Sequence, residues 1–158
     1  MGKNGYTFVE LLVALTIVGL IFGIGYVNFR DFSRRQALAG QARSVKGDLR
    51  LAQENALAGN KPSAIACNSP NTLDSYNFDV VSSGNYRIVA SCSGGTVIVK
   101  DVFLPSDVTI SGSLDPIIFK ILGQGTNIAS GAAATITLTQ AATGNTRVVT
   151  VSSGGEIK

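Results

Sequence analysis

The chain has no histidine and no tryptophan, its one methionine is Met1, and it holds only two cysteines and four prolines in 158 residues. Without histidine, the commonest general base and the commonest metal ligand are both missing. Most hydrolytic and zinc chemistries are thereby disfavoured, and no metal or cofactor is expected. Charge is also scarce: 15% of residues are charged, against roughly 25% in an average soluble domain. Mean hydropathy is +0.28. That balance argues against a typical cytosolic enzyme and equally against a disordered chain, which needs high charge and few apolar residues. The length suits one domain and little more.

The apolar surplus is concentrated near the start. Residues 11–27 form 17 consecutive positions without a charge, the lower edge of a membrane-spanning helix of about 17–25 residues. A cleavable secretory signal fits poorly, because no small-residue cleavage step follows the run around Gly23 and Gly25. Myristoylation at Gly2 fails too, since Tyr6 stands where serine or threonine is required. The expectation is one membrane span with a polar domain behind it.

Charge is distributed unevenly. Residues 30–60 carry six basic side chains (Arg30, Arg34, Arg35, Arg43, Lys46, Arg50) against Asp31, Asp48 and Glu54, while residues 61–158 are balanced at six of each sign. A nucleic-acid-binding domain would show the reverse. Glu10 breaks the local pattern, a carboxylate at the head of the apolar run. Within a span it costs on the order of 2.5–3.5 kcal/mol on insertion scales, so it is expected either to reach water at the interface or to meet a cation from another chain.

The residues Lys3, Asn4, Gly5, Tyr6, Thr7, Phe8, Val9 and Glu10, followed by the apolar helix, resemble the class III signal of type IV pilins and type II secretion pseudopilins. The resemblance implies that a prepilin peptidase cuts between Gly5 and Tyr6 and methylates the new amino group on Tyr6. It implies that Glu10 pairs with the amino terminus of a neighbouring subunit during assembly. It also implies an inner-membrane location, single-pass, with the C-terminal domain periplasmic or extracellular and other pilin or pseudopilin subunits as partners. Tyr6 departs from the usual phenylalanine and keeps the ring. Arg30, Arg34 and Arg35 outnumber Lys3, which by the positive-inside rule would put the C-terminal domain in the cytoplasm; the resemblance puts it outside.

Gly19 and Gly23 spell a G-x-x-x-G face, either a close-packing surface or the ordinary glycine content of membrane helices. Beyond it, Leu38, Ala42, Val45, Leu49, Ala52 and Ala56 recur at steps of four and three, an amphipathic helix with one apolar stripe. Gly59 and Pro62 mark its end. Short strands are expected at 63–67, 76–81, 86–90, 96–104, 108–110, 117–122, 135–139 and 147–152, separated by Gly-, Ser- and Asn-rich turns. The fold class is therefore α+β, pilin-like: a long N-terminal helix, membrane-spanning in its first half, packed on a C-terminal antiparallel β domain. The expected divisions are a leader at 1–5, an assembly helix at 6–29, its amphipathic continuation at 30–60 and the β domain at 61–158.

Two further runs resemble the GspH/FimT group of minor pilins: Leu49 to Ala56 leading to Asn60, Lys61, Pro62 and Cys67, and Gly144, Arg147, Val148, Val149 and Val151 near the C-terminus. Members like FimT bind DNA through a Gly-Arg-x-Arg turn. Here the place reads Gly155, Glu156, Ile157, Lys158, near-neutral, so DNA is a disfavoured partner. In an exported domain Cys67 and Cys92 are expected to form a disulfide, two separately buried thiols being the alternative. No enzyme motif is present: Gly123 to Thr126 lacks the lysine and spacing of a phosphate loop, and Asp74 and Asp79 make no persuasive carboxylate pair. The expectation is a non-enzymatic subunit of a type IV pilus or type II secretion pseudopilus. A filament-displayed binding subunit for DNA uptake or adhesion is the alternative.

Overall fold

The structure, a computed structural model, describes residue 5 and residues 7–158, the side chains of residues 24–28 excepted. Two compact units are present, Met1–Gln36 and Ala37–Lys158. A single helix, α1 (Phe8–Ala58), contributes to both.

The start of α1 is fixed by Thr7, whose Oγ1 accepts the Glu10 backbone N–H at 3.3 Å while its carbonyl accepts that of Leu11 at 3.2 Å. Thr7 and Glu10 stand in the S/T-x-x-E spacing of a capping box, and the carboxylate in the first turn suits the helix dipole. At the other end Gly59 adopts φ +62°. Its N–H bonds to Ala56 O, and that of Asn60 reaches back to Asn55 O at 2.9 Å. This is a Schellman close, which glycine satisfies without strain. In the first unit the apolar side chains from Phe8 to Phe22 are exposed. Among the described residues no helix is long and apolar enough to cross a membrane. Residues 24–27, the end of the 11–27 run, fall outside the described side chains.

In the second unit the expected stripe is the buried face of α1: Leu38, Val45, Leu49, Ala52 and Ala56 lie in the core, with Ala42 packed against it. Seven strands follow: β1 (Leu73–Ser82), β2 (Asn85–Cys92), β3 (Gly95–Phe103), β4 (Val108–Gly112), β5 (Ile117–Lys120), β6 (Ala133–Gln140) and β7 (Thr146–Ser152). They form two antiparallel sheets, ordered β3-β2-β1-β5 and β4-β6-β7. Period-two alternation sends Tyr76, Phe78, Tyr86 and Ile88 from the first sheet, and Ile136, Leu138, Val149 and Val151 from the second, into one core with the helix stripe. Phe78 and Tyr86 stack at 4.9 Å between ring centroids.

Two expected strands differ. Residues 63–67 form no strand; Ile65–Cys67 is a 3-10 turn, with Cys67 N–H bonded to Ala64 O. Pro62 offers no N–H for a ladder, and the turn carries Cys67 to its partner Cys92. The strand expected over 117–122 stops at Lys120, because Ile121–Gly123 turns through Leu122 at φ +53° and the chain doubles back to bond Lys120 N–H to Gly125 O. This return runs along the free side of β5 and ties in again at Asn127. The C-terminus does the same for β7: Ser152 N–H bonds to Glu156 O, and Thr150 and Lys158 exchange backbone hydrogen bonds. On β4, Ile110 N–H bonds to Ser83 O in the β1–β2 turn.

Candidate functional site: the amino-terminal helix and its anchorage

The N-terminal determinants lie on the first turn of α1 and just before it. Gly5 is exposed, and Tyr6 lies outside the described residues. Glu10 is also exposed, among apolar neighbours that face outward: Phe8 is 80% exposed and Val9 and Leu11 are likewise open. The helix geometry explains why Glu10 is tolerated locally, through the Thr7 cap, yet supplies its side chain with no partner among the described residues. Thr16, within the run, satisfies its hydroxyl on Val13 O at 2.8 Å. At Gly19 and Gly23 an added Cβ would meet nothing within 4 Å. Both G-x-x-x-G positions are thus open to a neighbour.

In the second unit the helix is anchored by a polar triad that the sequence reading passed over. Asp48, buried on α1, accepts the Tyr86 hydroxyl at 2.8 Å and the Lys100 ammonium at 2.6 Å. Burial first, then the hydrogen bond and charge of Asp48, push the Tyr86 phenol above its usual range. The available clue was spacing: Asp48 sits three residues after Val45 and one before Leu49, inside the apolar stripe, where a carboxylate needs partners.

Cys67 and Cys92 are joined in a disulfide. It ties the turn after the helix to the end of β2. The Asp74–Asp79 pair does not form a site; Asp79 faces Arg87 across the β1–β2 register, with Asp115 near enough to act on it. Desolvation chiefly, aided by Asp115 and opposed by Arg87, raises the Asp79 carboxyl. Asp79 Oδ1 and Arg87 Nε are both buried without a hydrogen-bond partner. In the C-terminal turn, Lys158 is paired with Glu156 at 3.2 Å, and the last residues serve as an added strand edge through the Val151–Ile157 bridge.

Residues 41–155 match the family model of the type II transport protein GspH. The chain belongs to the GspH family. Residues 1–26 of this GspH-family chain match the prokaryotic N-terminal methylation motif, so both resemblances drawn from the sequence are borne out. Among solved structures, the fold is similar to the minor pseudopilin EpsH from the Type 2 Secretion System of Vibrio cholerae. The TM-score is 0.57 at 10% identity, over 77% of this chain and 94% of that one. No curated protein sequence matches significantly. The α+β pilin-like architecture expected from the sequence is therefore shown twice, by the family and by the fold.

Proposed function

We propose that this GspH-family protein is a minor pseudopilin of a type II secretion system, a structural or tip subunit without catalytic chemistry. One observation carries the reading: a methylation motif at residues 1–26 and a GspH domain at 41–155 meet on one continuous helix. A prepilin peptidase cuts between Gly5 and Tyr6 and methylates Tyr6. The new cationic amine and the Glu10 carboxylate of an adjacent subunit then satisfy each other among apolar side chains, where either alone is costly. Such a pair fixes register between subunits more than it adds stability. Before assembly the apolar helix is held in the inner membrane, with the β domain in the periplasm. The DNA-binding alternative draws no support from the C-terminal turn, where Glu156 neutralises Lys158.

The test is genetic. Deleting the chain from its host is expected to leave type II substrates in the periplasm. The full-length chain restores their export, and Glu10→Val is processed normally but fails to restore it. Full export by Glu10→Val would remove the proposed role of the carboxylate.

A further inference from the structure

Between Leu11 and Ala42 the chain carries only four charged residues, Arg30, Asp31, Arg34 and Arg35. All four lie on α1, within about 8 Å of its length at 1.5 Å per residue. Phe29 and Phe32, 68% and 59% exposed, stand in the same belt. Arg30 and Arg35 are exposed, and Arg34 reaches Asp31 only at 3.9 Å. At about 100° per residue the two rings share one side of the helix, Arg30 and Arg34 a second, and Arg35 a third. The belt is therefore a collar. A neighbouring helix meets one face, whereas a collar suits a medium that surrounds the helix. Its height is equally specific: Glu10 to Arg30 is about 30 Å of helix, the thickness of a bilayer's hydrocarbon core. Aromatic rings and long cationic side chains are the residues favoured at that boundary. Membrane orientation does not account for the arginines, because the positive-inside rule puts such an excess on the other side.

We propose that residues 29–35 bind the headgroups of anionic phospholipids in the periplasmic leaflet, a proposal that rests on the reading of the apolar helix as held in the inner membrane. The guanidinium groups of Arg34 and Arg35 take headgroup phosphates, for which their forked donors are shaped. Phe29 and Phe32 enter the boundary beside them and fix the depth of the helix. Asp31 offsets one of the three arginines, so the collar keeps a net positive charge and prefers an anionic lipid to a zwitterionic one. These contacts hold the unassembled subunit at one height and are given up when the helix leaves the membrane.

The chain has no tryptophan, so Phe32→Trp puts a single fluorophore in the collar. The full-length variant is reconstituted in phosphatidylcholine vesicles that contain a minority of lipid brominated high on the acyl chain. That lipid is phosphatidylcholine in one series and phosphatidylglycerol in the other, and contact with bromine quenches the fluorophore. Both are expected to quench, with relative association at least about fivefold in favour of phosphatidylglycerol, the effect of one arginine near the surface. High salt weakens the preference. Adding Arg34→Gln/Arg35→Gln leaves Arg30 balanced by Asp31 and is expected to bring the ratio close to one. Quenching by brominated phosphatidylcholine stays unchanged in that variant, which shows that the helix keeps its depth. Equal association of the two lipids with the arginines intact overturns the proposal and leaves them to an acidic protein partner. A preference that survives the double substitution overturns it as well. Quenching by neither lipid overturns it together with the inner-membrane reading on which it rests.

Discussion

Tyr86 on β2 donates its hydroxyl to the buried carboxylate of Asp48 on α1, 2.8 Å away and 38 residues earlier in the chain. The bond locks the helix at one axial position on the sheet, because sliding by a turn would leave a carboxylate buried without a donor. Tyr86→Phe keeps the ring stacked on Phe78 and removes only that donor. It is expected to cost about 1.5 kcal/mol in chemical unfolding, the lower end for hydrogen bonds to charged groups.

The same phenol gives a pH dependence. Its raised pKa means that the folded state holds the proton more tightly than the unfolded chain. The stabilisation is therefore complete below the unfolded value of about 10 and is lost as pH rises beyond it. Thermal midpoints should fall above about pH 10, and fall less in Tyr86→Phe than in the parent chain.

Asp79 behaves in the opposite sense at neutral pH. Its carboxyl is raised from 3.8, mainly by desolvation, so ionised Asp79 detracts from stability once the pH exceeds that range. Asp79→Asn is expected to raise the thermal midpoint at pH 7. The gain should disappear as the pH is lowered to about 4, where the unfolded carboxyl is itself half-protonated. A constant difference across this interval would mean that packing, rather than charge, is responsible.

The disulfide closes a loop of 25 residues between Cys67 and Cys92. Loop-entropy arguments give it about 3 kcal/mol. Replacing both cysteines with alanine should lower unfolding stability by about that amount, and reduction of the parent chain should reproduce the loss.

Much of this fold was legible because its determinants are local. The stripe from Leu38 to Ala56, the Gly59 stop and the alternation in β6 and β7 each follow from helical or strand periodicity and emerge as read. The N-terminal signal was legible because order and position alone define it. What escaped depends on distant partners. Residues 63–67 looked like a strand, but Cys67 must turn toward Cys92. Asp48 entered only as one acidic charge among the basic residues of 30–60, and its partners Tyr86 and Lys100 arrive from β2 and β3. The covered edge of β5 is made by a return segment whose Gly123 and Gly125 were weighed only against a phosphate loop.

The central claim, that this chain is a processed filament subunit, is tested most directly by its intact mass after purification from the membranes of its own host. The account predicts loss of residues 1–5 and gain of one methyl group on Tyr6. An uncut chain beginning at Met1 would contradict it, leaving Glu10 without its partner amine and the protein an unprocessed member of the GspH family.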